Sequence, residues 1–334
     1  MSEIHPRVTI GVPVFNGESF VGKTLDSLLN QTFSDLEIVI SDNASTDRTE
    51  EICRAYAARD PRVRYYREAV NRGAAWNHNR VFALARGEYF KWNSADDLCA
   101  PQFLARCVAA LDRDPTAVMA VSEAVEIDER GKELQSVSVA GVTLLPDVPF
   151  DAPAHLRFKH TLLINHLCIN IYSLIRSDAL RQTDLIAGYA DSDRDVLAHL
   201  ALFGHCAVVR EVLLFNRDHA GRFSRAYRAD HYEGWRDRTP WFDPSRSKQK
   251  HFPFWEKAFA LWRAIARSPL KRQEQLRCYG VLVRWLLQKN NVRCLYVDAT
   301  HYPRKYVVRH FPWAKVAWNW LWSKRNVSNQ VRDT

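Results

Sequence analysis

Four short apolar runs, each stopping at a polar tip and each followed by a helical stretch, constrain this chain more than any other feature. Val8-Thr9-Ile10-Gly11-Val12 is rich in β-branched residues and ends at Pro13. Leu36-Glu37-Ile38-Val39-Ile40-Ser41 ends at Asp42, residues 63–66 lead to Asn71-Arg72-Gly73, and Glu88-Tyr89-Phe90-Lys91-Trp92 runs into Asp96-Asp97. Between the runs, apolar residues recur at helical spacing, as Phe20, Leu25, Leu28 and Leu29 do, and Asn43-Ala44-Ser45-Thr46-Asp47 carries a helix-start signature. A helix at 101–111 and a fifth strand at 118–125 continue the alternation. Strands alternating with helices in this way imply βαβ units and an α/β fold with a mainly parallel sheet flanked by helices.

In an open sheet of this kind ligands sit beyond the carboxyl ends of the strands, where these polar tips fall. Asp96 and Asp97 repel each other unless a cation or hydrogen-bond donors hold them. Hard divalent ions such as Mg²⁺ take few carboxylates and complete their shell with substrate phosphates, so the pair predicts a metal–diphosphate site. The alternative is that one of the two caps the helix after Pro101. A second acidic group, Asp191-Ser192-Asp193-Arg194-Asp195, precedes Val196, Leu197, Leu200 and Ala201 at helical spacing, which puts acids in a first helical turn.

With 334 residues, 47% hydrophobic and 25% charged, the chain has material for one large or two modest domains. Past Ala226 the strand alternation is gone, and residues 255–266 and 273–288 read as amphipathic helices. The expected division is 1–225 as the α/β domain and 226–334 as a helical, basic, Trp-rich region. Nine of the eleven tryptophans lie after residue 230, and residues 299–332 contain no acid within a net charge of +9. Such a segment suits anionic lipid, nucleic acid or an acidic partner, or is simply a helical core. The periodicity after Pro303 is mixed: Trp318, Trp320 and Trp322 alternate, whereas Trp313, Ala317 and Trp320 fit a helix. Seven scattered cysteines without a Cys-x-x-Cys pair fit reduced thiols better than a disulfide frame or zinc site. The polar N-terminus and the short, proline-containing run at 8–15 show no leader pattern, and the expected location is cytoplasmic.

The segments Val12-Pro13-Val14-Phe15-Asn16-Gly17-Glu18, Ser41-Asp42-Asn43-Ala44-Ser45-Thr46-Asp47, Asn71-Arg72-Gly73 and Ala95-Asp96-Asp97 stand in the order and spacing seen in family 2 glycosyltransferases. Over about residues 7–225 the chain resembles that family of inverting, nucleotide-sugar-dependent enzymes. The resemblance implies a GT-A (Rossmann-like) fold, here with a helical C-terminal extension. It implies that Pro13, Phe15, Asn16 and Glu18 line the nucleotide pocket. Asp42 would accept a hydrogen bond from the pyrimidine imide, favouring a UDP-sugar. Asn71 and Arg72 would lie near the diphosphate, and Asn77 would reach the ribose or Asp96. Asp97 would bind Mn²⁺ or Mg²⁺ directly, with Asp96 on the ribose or on a metal-bound water and His219 as a further metal or phosphate contact. Ser94 and Ala95 depart from the family pattern, in which many members carry an acid there. Reading back from Gly204 aligns Ser192-Asp193-Arg194-Asp195 with the family's base segment: Asp193 takes the base position, and Asp195 is a stabilising helix residue.

No Gln-x-x-Arg-Trp signature of processive polymerases is found, so the resemblance implies addition of one sugar, or a few, to a glycan or lipid-linked acceptor. The expected setting is the inner face of the cell membrane, with the C-terminal region touching anionic lipid and with no nucleic-acid partner. Two other classes compete. A nucleotidyltransferase making nucleotide sugars is expected to carry a Gly-rich, basic loop after the first strand, where this chain has only Gly17 and Lys23. A non-catalytic basic module for membrane or nucleic acid has no need of Asp42, Asp97 and Asp193 together.

Overall fold

The computed structural model describes residues 5–138, 152–163, 168–222, 238–248 and 251–310. Every residue of β1 (Val8–Val14) and β2 (Leu36–Asp42) is buried, as the continuous apolar runs require of strands covered on both faces. β1 pairs in parallel with β2 on one side and with β4 (Tyr89–Trp92) on the other, and β2 pairs in parallel with β3 (Val63–Arg67). The crossovers are α1 (Val21–Leu29), α2 (Thr49–Arg59) and α3 (Ala74–Ala83). Because Val14 stands beside Asp42 and Asp42 beside Arg67, the loops after these strands open along one edge of the sheet.

Beyond β4 the sheet becomes mixed. Its order is β3-β2-β1-β4-β8-β6-β9-β5, with β7 (Glu133–Ser138) hairpinned onto β6 (Ala117–Ile127). β8 (Leu174–Arg176) lies antiparallel between β4 and β6, and β9 (His205–Arg217) runs parallel to β6. β5 (Leu98–Cys99), which precedes α4 (Phe103–Arg113), pairs antiparallel with Phe215 and Leu214 of β9. That pairing carries the Asp96-Asp97 turn from β4 over to the end of β9. β5 and β8 have two and three residues, too few for a period to show in the sequence.

The alternation of the strands sorts side chains into two cores. Val8, Ile10, Val12, Ile38 and Ile40 pack with Leu25, Leu28, Phe103 and Leu104 on one face. Val39, Phe90, Trp92, Met119 and Ile175 pack on the other face with Val81 of α3, Leu180 of α6 (Ser177–Arg181) and Leu200 of α7 (Ser192–Phe203). A third core lies beyond α7. Its Ala198 and Leu202, with Phe158 and Leu162 of α5 (Ala154–Leu163), meet Leu261 and Ile265 of α9 (Pro253–Arg267) and Leu282 and Trp285 of α10 (Arg272–Leu286). α8 (Thr239–Phe242) packs on α3, and α11 (Lys289–His310) packs on α9. The helices expected at 255–266 and 273–288 are therefore α9 and α10. Trp313, Trp318, Trp320 and Trp322 lie outside the described residues, as does most of the loop read at 142–153. Among the described residues no helix is long and apolar enough to cross a membrane.

Candidate active site

The loops after β1 and β2 are laced into one wall. Asn16 takes a left-handed conformation, φ 51°, which lets its backbone N–H donate to Ser45 Oγ while its Oδ1 accepts from Thr46 N at 2.8 Å. Gly17 N donates to Thr49 Oγ1 and Glu18 N to Asp47 Oδ2, and Glu18 Oε2 accepts from Arg48 N. Asn16 and Glu18 thus hold the wall together, while Phe15 stands on it with its ring about half exposed and Pro13 is buried in β1. A ring held this way offers a free face to a base or ribose.

Asp42, to which the resemblance assigns the base contact, is enclosed at the end of β2. Its side chain has no exposed surface: Oδ1 accepts from Ser45 N and Oδ2 from the Tyr65 hydroxyl at 2.7 Å. Asn77 is likewise enclosed. Its amide donates to the carbonyls of Val14 and Ser41, tying the ends of β1 and β2. Asn71 Oδ1 accepts from Asn43 Nδ2 and Gly73 N, which shapes the turn into α3. The Arg72 side chain is half exposed, with its guanidinium 4.9 Å from the centre of the Trp76 ring and Nε 3.7 Å from Glu68.

The two adjacent acids point in different directions. Asp97 is turned into the sheet, where Oδ1 accepts from Arg217 N at 2.8 Å and Oδ2 from Asn216 Nδ2 at 3.0 Å. Burial, then the neighbouring Asp96 charge, pushes its carboxyl well above the usual carboxylate range. Both oxygens accept hydrogen bonds from the end of β9. Asp96 faces outward, bonded to Ser94 Oγ and 2.8 Å from His219 Nε2. The His219 ring is 4.8 Å from that of Phe20, and the buried Arg217 guanidinium lies 5.0 Å from Phe20 on the other contact while its Nε donates to the Asp96 carbonyl.

No group of three or more His, Cys, Asp or Glu side chains gathers as a metal cage among the described residues. Asp96 and His219 do present one carboxylate oxygen and one imidazole nitrogen at a common point, each partly open to solvent. That set fits a divalent ion that uses few protein ligands and leaves positions for phosphate oxygens.

Asp193 lies in the first turn of α7. Asp191, immediately before the helix, is left-handed at φ 58°, Ser192 Oγ donates to the Ala187 carbonyl, and Asp193 Oδ1 accepts from Arg194 N. Burial, then the Asp191 charge, pushes the Asp193 carboxyl up to about 6, against the opposing pull of Lys257 and Arg194. Asp195 is buried behind it, accepting from the Tyr189 hydroxyl at 2.9 Å and paired with Lys257 Nζ at 2.8 Å.

What joins the two acidic ends is Tyr172, in the 3₁₀ turn Cys168–Tyr172 that packs between α7 and β4. Burial and then the charges of Asp97, Asp96 and Asp193 all hold its phenol in the neutral form, with Arg222 opposing them. Asp96 and Asp193 therefore both lie within electrostatic reach of one side chain although 97 positions separate them. The buried Lys91 fastens this arrangement from behind, Nζ donating to the carbonyls of Tyr172 and Trp92. Arg222 bonds to Asn216 Oδ1 and pairs with Glu126 at 3.3 Å. Sequence reasoning passed over Tyr172, Lys91, Lys257 and Arg222. The visible signal for two of them was a lysine inside an apolar pattern: Lys91 in a buried strand and Lys257 on the core stripe of α9.

Residues 9–184, more than half of the chain, match the family model described as glycosyl transferase family 2. The uncharacterized glycosyltransferase EpsJ of Bacillus subtilis (strain 168) is 41% identical over 92 residues, 28% of this chain and 26% of that protein. A chondroitin synthase of Escherichia coli is 32% identical over 126 residues, 38% of this chain and 18% of that protein. The matched stretch is thus a minor part of each relative's own length. Among solved structures, S. aureus TarS 1-349, crystallised in complex with UDP-GlcNAc, superposes with a TM-score of 0.53 at 15% identity, over 90% of this chain and 92% of that one. At that identity the likeness concerns the fold, the curled α/β sheet of GT-A type.

Proposed function

Because the chain belongs to glycosyl transferase family 2, we propose that it moves a sugar from a nucleoside diphosphate sugar to a hydroxyl of a glycan or lipid-linked acceptor, with inversion. Family membership sets aside the nucleotidyltransferase and the non-catalytic module. The observation that supports the mechanism is that Asp193 and Asp96, the latter 2.8 Å from His219, both bear electrostatically on the buried Tyr172 phenol.

In this reading Asp193 is the general base. A hydroxyl attacks the anomeric carbon efficiently only if its proton leaves as the new bond forms, and a carboxylate raised to about 6 is ionised at neutral pH yet basic enough to take it. Asp96 and His219 hold a divalent ion, Mn²⁺ or Mg²⁺, which when bound supplies Lewis-acid charge to the departing diphosphate. Arg222 adds positive charge on the same side, and Phe15 presents its ring to the base. Asp97, Arg217 and Asn216 fix the direction of Asp96. A UDP-sugar is the favoured donor, a reading supported by the TarS structure of the same fold, which holds UDP-GlcNAc.

The test is Asp193→Asn assayed in two ways. UDP binding by calorimetry in the presence of Mn²⁺ is expected to stay near wild type, while sugar transfer is lost. Full transfer by this variant assigns the base elsewhere.

A further inference from the structure

Helix α9 carries two apolar stripes. Phe254, Ala258, Leu261 and Ile265 form the one that enters the core. Trp255, Phe259 and Trp262, roughly a quarter-turn round the helix, are 49%, 56% and 47% exposed. A surface helix needs only one such stripe to fold, so the second faces something outside the fold.

The second stripe is not isolated. Phe259 and Trp262 stack at 5.6 Å, and Trp262 meets Tyr279 of α10 at 6.4 Å. Tyr279 sits among Leu276, Val283 and Leu287, which at 62%, 53% and 70% exposure form the outer stripe of α10. Trp255 Nε1 donates to the Leu295 carbonyl on α11, so its polar atom is satisfied within the protein and its ring body is left outward. Nine of the fourteen large apolar side chains left exposed among the described residues lie between Phe252 and Tyr296.

The charge around this surface is one-sided. Residues 253–298 hold nine Lys or Arg and three acids; of the nine, Lys257 is buried against Asp195, Arg263 and Arg267 pair with Asp184, and Arg277 pairs with Glu274. Asp298 is fully buried, Glu256 pairs with Arg246, and Glu274 pairs with His155 and Arg277. The exposed Lys271, Arg272 and Arg284 border the apolar stripes. A second copy of the chain would set this cationic face against itself, which disfavours a two-fold pair. Aromatic rings bordered by the exposed Lys271, Arg272 and Arg284 match instead the boundary between acyl chains and anionic headgroups.

We propose that the outer face of α9 and α10 is a docking surface for an anionic phospholipid bilayer, independent of the donor, metal and base assigned above and of residues 311–334. The full chain is tested by sedimentation with vesicles of phosphatidylglycerol mixed with phosphatidylcholine, and with phosphatidylcholine alone. Binding to the anionic vesicles only, weakened by salt, is expected. Replacing three cations, as in K271Q/R272Q/R284Q, is expected to lower the partition constant about a hundredfold, at about fivefold for each. W255S/F259S/W262S is expected to lose binding with an unchanged circular dichroism spectrum; if that variant does not fold, the cation variant decides alone. Absence of binding by the wild type overturns the proposal. So does wild-type binding by the folded variants, which puts the contact elsewhere in the chain, or a wild-type dimer that the aromatic substitutions dissociate.

Discussion

Lys257→Met separates structural from catalytic consequences at the Asp193 turn. Lys257 and Asp195 form an ion pair of 2.8 Å with 3% and 6% of their side chains exposed, and Lys257 Nζ also donates to the Asp191 carbonyl. Removing the cation leaves the Asp195 carboxylate buried with the Tyr189 hydroxyl at 2.9 Å. Breaking a buried pair from one side costs about 3–5 kcal/mol. At roughly 2 °C per kcal/mol, a value for chains somewhat shorter than this one, the melting midpoint drops by several degrees. The same cation holds the Asp193 pKa down, so its loss moves that carboxyl above about 6. A base works only when ionised, and the acidic limb of kcat/KM is therefore expected near pH 6 in the wild type and at higher pH in Lys257→Met. The assay is sugar transfer across the pH range, read beside thermal melts. Lys257→Met/Asp195→Asn removes the stranded charge and is expected to recover much of the lost stability, since replacing both partners costs far less than removing one. An acidic limb that stays in place when the lysine is removed refutes the coupling, and with it the assignment of Asp193 as the titrating base.

Two further outcomes follow from the geometry. Asp96→Asn and His219→Ala are each expected to weaken Mn²⁺-dependent UDP binding by about tenfold or more, the range seen even for outer-shell partners of a metal; calorimetry with and without Mn²⁺ reads this, and equal loss in both conditions contradicts a metal role. Gly73→Ala is expected to cost about 3 kcal/mol or more in urea unfolding, because Gly73 has φ 88° and an added Cβ would lie 2.3 Å from the Phe242 carbonyl oxygen.

The sheet was legible where the strands are long and covered on both faces. β1 and β2 announce themselves through β-branched runs, and the helices between them through apolar spacing. β8 was not legible, because three residues cannot display a period and its place between β4 and β6 is decided by packing of the preceding 3₁₀ turn. The same limit applies to Tyr172. Nothing local marks it, and it acquires its position only when α7 and β4 both pack against its turn.

Asp96 and Asp97 show why a motif locates a site more readily than it assigns roles within it. In the sequence the two residues are chemically identical neighbours at a strand tip. The difference between them originates in Asn216 and Arg217, which β5–β9 pairing brings to the turn across about 120 positions of chain. A backbone N–H and a side-chain amide fix Asp97 inward, and Asp96, in the turn before it, stands beside a histidine two residues beyond the same strand. Asp42 follows the same logic from the other side of the sheet: Tyr65 lies on the neighbouring strand, and its hydroxyl closes over a carboxylate that looks available in the sequence. The acids are where the alternation of strands and helices implied. Which of them faces the cleft is decided by donors on the strands paired beside them, and those donors are ordinary residues until the sheet is assembled.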